Sequence, residues 1–277
     1  MTSITQIQDT VTLHNGVRMP WLGLGVWQTK EGDEVVQAVT DALKSGYRSI
    51  DTAAIYGNEA GVGQAIQASG VPRDQLFITT KVWNADQGFD QTLRAFEESR
   101  KKLLVDTIDL YLIHWPVKDK YKETWKALIK LYNEGLVRAI GVSNFHIHHL
   151  KDIIEDSGVV PTVNQVELHP LLQQRELREY SRAHNIRLEA WSPLMQGHLD
   201  LPLLAELAAK YGKSPAQIVL RWDLQQGIVI IPKSIQAHRI QENADIFDFN
   251  LSDEDLARLD ALNEDKRFGP DPDNFNF

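Results

Sequence analysis

The amino-acid sequence predicts a (β/α)8 barrel, a TIM barrel with an N-terminal hairpin and extra C-terminal helices. Three observations carry this. Short apolar runs alternate with amphipathic helical patterns, eight strand candidates are each followed by a helix, and no linker-like or low-complexity stretch breaks the 277 residues. Strands that alternate with helices pair in parallel, and continuous β-rich runs suit strands covered on both faces. The alternative is an open doubly wound sheet. Against it, the Gly-Leu-Gly of 23–25 lies inside the first run rather than between a strand and a helix, so it is a poor phosphate loop. Residues 1–277 read as one domain.

The elements follow in order. LHNGVRMP (13–20) reads as a hairpin turning at Asn15-Gly16, placed to plug the barrel floor. LGLGVW (22–27) is the first barrel run, and Val35, Val36, Val39, Ala42 and Leu43 then share one helical face that Gly46 ends. YRSIDTA (47–53) precedes a helix through Val62 and Ile66. LFITTKV (76–82) precedes one carrying Leu93, Phe96, Leu103 and Leu104, with Glu97–Lys101 and Glu98–Lys102 spaced as ion pairs four apart. TIDLYLIHW (107–115) precedes a helix with Trp125, Leu128, Ile129 and Tyr132, closed by Gly135. VRAIGVSN (137–144) precedes a helix from His148 to Glu155, and TVNQVEL (162–168) one through Leu177 and Tyr180. IRLEAWSP (186–193) precedes helical stretches around 202–211 and 215–226. IVIIPKS (228–234) is followed by a helix near 236–244, and SDED (252–255) opens a last helix with a capping-box pattern. The tail FGPDPDNFNF (268–277) should run over the surface without forming an element.

Composition narrows the function classes. With 43% hydrophobic and 24% charged residues the chain is ordinary globular protein, able to bury a large core. A net charge of −9 argues against a nucleic-acid or anionic-membrane partner. The absence of Cys rules out disulfides, thiolate metal sites and a Cys nucleophile. The N-terminus has no secretory-signal pattern and no run approaches the roughly 18 apolar residues of a spanning helix, so a cytoplasmic protein is expected.

In a barrel of this kind the site forms where the strands exit at their carboxyl ends. Asp51 ends the second run, Lys81 the third, His114 the fourth, Ser143 and Asn144 the fifth, Gln165 and Glu167 the sixth, Trp191 and Ser192 the seventh, and Lys233 and Ser234 the eighth. Tyr56 lies five residues past Asp51. Lysine and aspartate in a low-dielectric mouth would pair, because an unpaired buried charge is too costly. A tyrosine beside that ammonium is expected to have its pKa drawn down from roughly 10, so that it can give a proton to a substrate oxygen. A neutral His114 could donate to the same oxygen. Taken singly, each residue has a structural explanation as an ion pair or a packed side chain. Placed at successive strand exits, they suit protonation of a carbonyl whose carbon is attacked by something else.

IDTAAIYGNE (50–59), TTKVW (79–83), DLYLIHWP (109–116), RAIGVSNF (138–145), VNQVELHP (163–170), EAWSPL (189–194) and IPKS (231–234) together resemble the aldo-keto reductase family, in the family's order and over essentially the whole chain. The resemblance is nearest to short bacterial members of the glyoxal/methylglyoxal reductase and 2,5-diketogluconate reductase kind. It implies NADPH-dependent reduction of small aldehydes and ketones, a small-molecule carbonyl as partner, and a monomer. It implies a catalytic set of Asp51, Tyr56, Lys81 and His114, with Tyr56 as the acid, and no metal. Ser143, Asn144 and Gln165 match positions that hold the nicotinamide carboxamide, and Trp191 the ring that stacks on the nicotinamide. Ser192, Pro193 and Leu194 match the pyrophosphate path, Lys233, Ser234 and Arg239 the surroundings of the 2′-phosphate, and Glu242 and Asn243 the adenine edge. Gln236 and Ala237 stand where some relatives carry basic residues, which leaves more of the NADPH preference to Arg239 and leaves NADH use open. Trp21, Trp83 and Trp115, with Trp27, should wall an aromatic substrate pocket, open because its mouth loops are short. His146, His148 and His149 at a helix start read as solvated surface rather than metal ligands. Two other classes compete: a nucleotide-binding, redox-sensing regulatory subunit on the same barrel, and a metal-dependent barrel hydrolase.

Overall fold

The computed structural model describes residues 4–275, so the ends of the chain, including the last two residues of the tail reading, lie outside the described residues. The chain opens with an antiparallel hairpin, β1 (Thr10–Thr12) and β2 (Arg18–Pro20), in which Val11 faces Met19. Val11, Leu13 and Met19 are buried, and Asn15 Nδ2 donates to the Arg138 carbonyl 3.0 Å away while His14 Nε2 lies 3.1 Å from the Val160 carbonyl. Both carbonyls sit at strand entries, so the hairpin closes the floor as expected.

Eight parallel strands follow: β3 (Gly23–Gly25), β4 (Ser49–Asp51), β5 (Phe77–Val82), β6 (Ile108–Ile113), β7 (Val137–Ser143), β8 (Val163–Glu167), β9 (Arg187–Trp191) and β10 (Val229–Ile230). They pair in sequence order, and parallel bridges Leu22–Ile230 and Gly25–Lys233 bring the last strand back to the first. This is the (β/α)8 barrel that the alternation predicts. The helices are α1 (Asp33–Lys44), α2 (Glu59–Ala68), α3 (Phe89–Leu103), α4 (Tyr121–Asn133), α5 (Ile147–Ser157), α6 (Arg175–Ala183), α7 (Pro202–Tyr211), α8 (Pro215–Gln225), α9 (Ala237–Ala244) and α10 (Asp253–Asp260). The helices ring the sheet with their apolar stripes buried; α1, for example, buries Val35, Ala38, Val39, Ala42 and Leu43. Its Gly46 adopts φ 96°, a conformation that ends a helix at no steric cost to glycine.

Two local expectations are corrected. On α3 the ion pairs run three apart, Glu97–Arg100 at 2.8 Å and Glu98–Lys101 at 3.7 Å, rather than four apart; both spacings bring side chains together on a helix. At α10 Ser252 caps the Asp255 N–H, but the reciprocal half of the capping box is absent, because the Ser252 N–H donates to the Tyr211 hydroxyl 2.9 Å away.

The closing seam explains the Gly-Leu-Gly run. A Cβ on Gly25 would lie 2.8 Å from the Ile231 carbonyl oxygen, so β3 approaches the last strand only without a side chain there. Gly25→Ala is therefore expected to destabilise the barrel by about 1–3 kcal/mol, read as a lower denaturation midpoint in urea. An unchanged midpoint would show that the seam is slack.

Candidate active site

The strand register builds the site. Asp51 faces Thr79 across β4 and β5, and side chains two apart share a face, so Lys81 projects inward one step above Asp51. His114 continues β6 by one residue, its N–H donating to the Val82 carbonyl at 3.3 Å. A 3-10 turn over Ala54–Tyr56 returns the tyrosine over the same opening. Lys81 Nζ donates to Asp51 Oδ1 at 2.6 Å and to the Thr52 carbonyl at 2.9 Å, and it lies 3.5 Å from the Tyr56 hydroxyl and 5.0 Å from that ring's centroid. The Tyr56 ring meets the His114 ring edge-on at 5.7 Å. The three residues picked from the strand exits, and Tyr56 from the loop after the second, are thus in one cluster.

Its electrostatics differ from the expectation in one respect. Burial pushes the Tyr56 phenol above its ordinary 10.0; the Lys81 ammonium pulls the other way, and the charges of Asp51 and Glu189 add to the rise. From the sequence alone a fall is expected. Proximity of Lys81 was legible there, but the desolvation that outweighs it was not. Burial would lower Lys81, yet attraction to Asp51, the interaction with Tyr56, the hydrogen bond to Asp51 and the Glu189 charge together more than offset that and keep the amine protonated. Burial and the nearby Lys81 charge hold His114 well below 6.5, so the imidazole is neutral.

Around this cluster, Gln165 reaches across the barrel and donates from Nε2 to Asp51 Oδ2 at 2.7 Å and to Glu189 Oε2 at 2.9 Å. The two carboxyls fix the amide, with its nitrogen turned toward them. Ser143 Oγ donates to the Gln165 carbonyl at 2.8 Å. Asn144, at φ 62°, donates from Nδ2 to the His114 carbonyl at 3.0 Å and accepts from Trp191 Nε1 at 2.8 Å. Trp191 stays half-exposed at the end of β9, and Ser192 (φ 47°), Pro193 and Leu194 lead away from it. Lys233 and Arg239 are exposed and Ser234 and Asn243 buried, all at or near the start of α9 or within it. Glu242 is less free than the adenine-edge reading requires, since its carboxylate accepts from the Ser214 hydroxyl that caps α8.

The tryptophans separate. Trp83 packs edge-on to His114 at 5.2 Å, and Trp115 packs against Phe275 at 4.4 Å, so both stand at the mouth. Trp27 is 48% exposed on the rim. Trp21 does not belong to this pocket. It precedes β3, its carbonyl accepts from Ile230 N–H at 3.0 Å, and its ring lies 5.5 Å from the guanidinium of Arg187, the first residue of β9. It is at strand entries, on the floor.

The tail is anchored rather than loose. Glu167 accepts from Phe268 N–H at 2.7 Å, Gly269 N–H at 2.9 Å and His169 Nε2 at 2.9 Å. Burial would raise the Glu167 carboxyl, but these three donors hold it below its ordinary 4.5. Gly269 lies so close to Trp191 that a Cβ would come within 2.3 Å of the indole. Further on, Asp271 lies 3.0 Å from His146 Nε2 and Asp273 2.8 Å from His148 Nε2. The solvated-surface reading therefore fails for His149, which is buried; its Nδ1 accepts the His146 N–H at 3.0 Å, so Nε2 carries its proton. The imidazoles cap a helix and tie down the tail, while ligand-type atoms of His148, His149 and Asp273, and of His146, Asp271 and Asp273, lie within 4.8 Å of one another.

A parallel barrel that gathers a buried amine, a carboxylate, a phenol and a neutral imidazole at its carboxyl end is an enzyme scaffold with proton-transfer groups in place. The family model described as Aldo/keto reductase family matches residues 21–264, and this chain belongs to that family. It is 61% identical to a glyoxal reductase of Bacillus subtilis (strain 168), covering 99% of both chains. It is 52% identical to the methylglyoxal reductase DkgA of Escherichia coli (strain K12), over 96% of this chain and 97% of that protein. Among solved structures, a Gox0644 mutant in complex with NADPH superposes with a TM-score of 0.94 at 47% identity, covering 98% of this chain and 99% of that one.

The ion pair is testable by stability. Lys81→Met leaves the Asp51 carboxylate buried with only Gln165, among the described residues, to meet it, and is expected to cost about 3–5 kcal/mol in urea unfolding. Adding Asp51→Asn should recover most of the loss; no recovery would show that the pair is not what the core depends on there.

Proposed function

We propose that this chain reduces small aldehydes and ketones, dicarbonyls such as glyoxal and methylglyoxal among them, with NADPH as cofactor. The observation that carries the reading is the Tyr56 hydroxyl, 3.5 Å from a fully buried ammonium and beside a neutral imidazole, at the rim of the barrel. The glyoxal and methylglyoxal reductases among the relatives support the substrate class, and the NADPH-bound structure supports the cofactor.

The residues present fit the dinucleotide. Lys233 and Arg239 are exposed and have no ion-pair partner among the described residues, which suits a phosphate dianion. Trp191 offers a flat indole face held by Asn144 on one side and the tail on the other. Gln165, its nitrogen committed to two carboxyls, presents its oxygen to a carboxamide N–H. When bound, NADPH supplies the hydride. The protein's part is acid catalysis and orientation. Tyr56 keeps its proton at neutral pH, which is the form a general acid requires, and gives it to the substrate oxygen as negative charge develops there. The Lys81 ammonium stabilises the phenolate left behind. A neutral His114 donates one N–H to the same oxygen, and Trp83 and Trp115 exclude water from the carbonyl.

Tyr56→Phe is expected to bind NADPH as the parent does, followed by fluorescence, while methylglyoxal reduction falls by about 10²-fold or more. Equal turnover in the two proteins would remove Tyr56 from the role of acid. Arg239→Ala is expected to raise KM for NADPH roughly tenfold or more, the scale of a lost charged hydrogen bond, with KM for NADH little changed. A parallel rise for both cofactors would place Arg239 away from the 2′-phosphate.

A further inference from the structure

Glu189 has no part in the chemistry above, yet it is wired to it. It sits on β9 two residues before Trp191 and is 1% exposed. Across the sheet, β8 places Gln165 beside it and β10 places the apolar Val229. The charged or titratable groups it interacts with among the described residues are Asp51 from β4, Lys81 from β5 and Tyr56 from the turn after β4. Gln165 Nε2 bridges the two carboxyls, at 2.9 Å to Glu189 Oε2 and 2.7 Å to Asp51 Oδ2, and Glu189 Oε1 has no hydrogen-bond partner among the described residues.

The cluster therefore holds two carboxyls and one ammonium, and Lys81 is bonded to Asp51. A second buried anion with only a neutral amide to meet it is costly, so Glu189 is the carboxyl that keeps its proton. Burial, then repulsion from Asp51, pushes it up to about 8. Once it ionises, its charge adds to that of Asp51 and opposes formation of a phenolate at Tyr56.

We propose that Glu189 is a positioning residue for carbonyl reduction, acting through Gln165 and the buried charge cluster to keep the Tyr56 hydroxyl protonated as the solution turns alkaline. The proposal rests on the reading of Tyr56 as the acid. Its sign is fixed by charge. In the parent, Glu189 is neutral below about pH 8 and adds nothing; above it, the new anion holds the phenol in its acid form. With no carboxyl at 189, Tyr56 loses its proton at lower pH. Reduction, which needs the phenol, then declines earlier on the alkaline side, and alcohol oxidation, which needs the phenolate, begins earlier.

The test is single-turnover NADPH oxidation by methylglyoxal, and the reverse reaction with an alcohol, across the alkaline range for the parent, Glu189→Gln and Glu189→Asp. The readout is the position of the alkaline limb rather than the height of the plateau. Glu189→Gln is expected to move the limb down by roughly half a pH unit or more in both directions of reaction. Glu189→Asp, which restores an ionisable group, should move it back toward the parent. A uniform drop in rate with the limb unmoved would reduce Glu189 to a packing residue and overturn the proposal. So would failure of Glu189→Gln to fold, because the amide is the isostere of the neutral acid that the proposal requires. Ultraviolet titration of phenolate in the cofactor-free protein, with Tyr56→Phe as the blank, separates the two levels. If Tyr56→Phe turns over normally, the acid assignment fails. If it is inactive but the Tyr56 titration is the same with Glu and Gln at 189, only the present inference fails.

Discussion

The buried pair between Lys81 and Asp51 is the constraint around which the carboxyl end of the barrel is arranged. Two charges removed from water must be met on every side, and here they are. Asp51 gives one oxygen to Lys81 and the other to Gln165, and Lys81 takes the Thr52 carbonyl as a second acceptor. Three separate strands and a loop are thereby held at fixed distances, and the Tyr56 hydroxyl is set against a cation that cannot swing away. Well-packed apolar residues could fill the same space at no loss of stability, often with a gain. Stability alone therefore does not account for the pair, whereas the proposed role of Tyr56, a phenol that gives up a proton and is stabilised afterwards by Lys81, does.

Much of this was legible because polar residues that end apolar runs stand out against the period-two pattern of a buried strand. Asp51, Lys81, His114 and Gln165 were found that way. Trp21 was misplaced by the same rule, since a tryptophan next to a short apolar run can stand at the strand's entry as well as its exit, and only pairing to Ile230 tells which. Glu189 carries no such signal, because it lies inside a run and looks like strand filling. The fall expected for the Tyr56 pKa came from counting its neighbour and not its desolvation, a quantity that belongs to the packed molecule. The tail had no periodic signal at all. Its order comes from Glu167, whose carboxylate collects two backbone N–H groups more than a hundred residues away in sequence, a separation visible only in the fold.

Asn144 shows how the two halves of the site are made to depend on each other. Its backbone is in the left-handed region, which asparagine tolerates better than other side chains. From there one side-chain end reaches the His114 carbonyl and the other takes the Trp191 indole N–H. A residue held this way can satisfy both partners in only one orientation. The strand exit that carries the imidazole is thus keyed to the ring that the proposed cofactor would stack on, and Gly269 of the tail bears on that ring from the other side. Movement of the tail would reach His114 through two side chains. In the proposed reduction, where hydride and proton would arrive at adjacent atoms of one carbonyl, the geometry that would orient the donor ring and the geometry that would orient the substrate oxygen could not be adjusted separately. Coupling them through a single asparagine makes that a property of the scaffold, in place before any substrate enters.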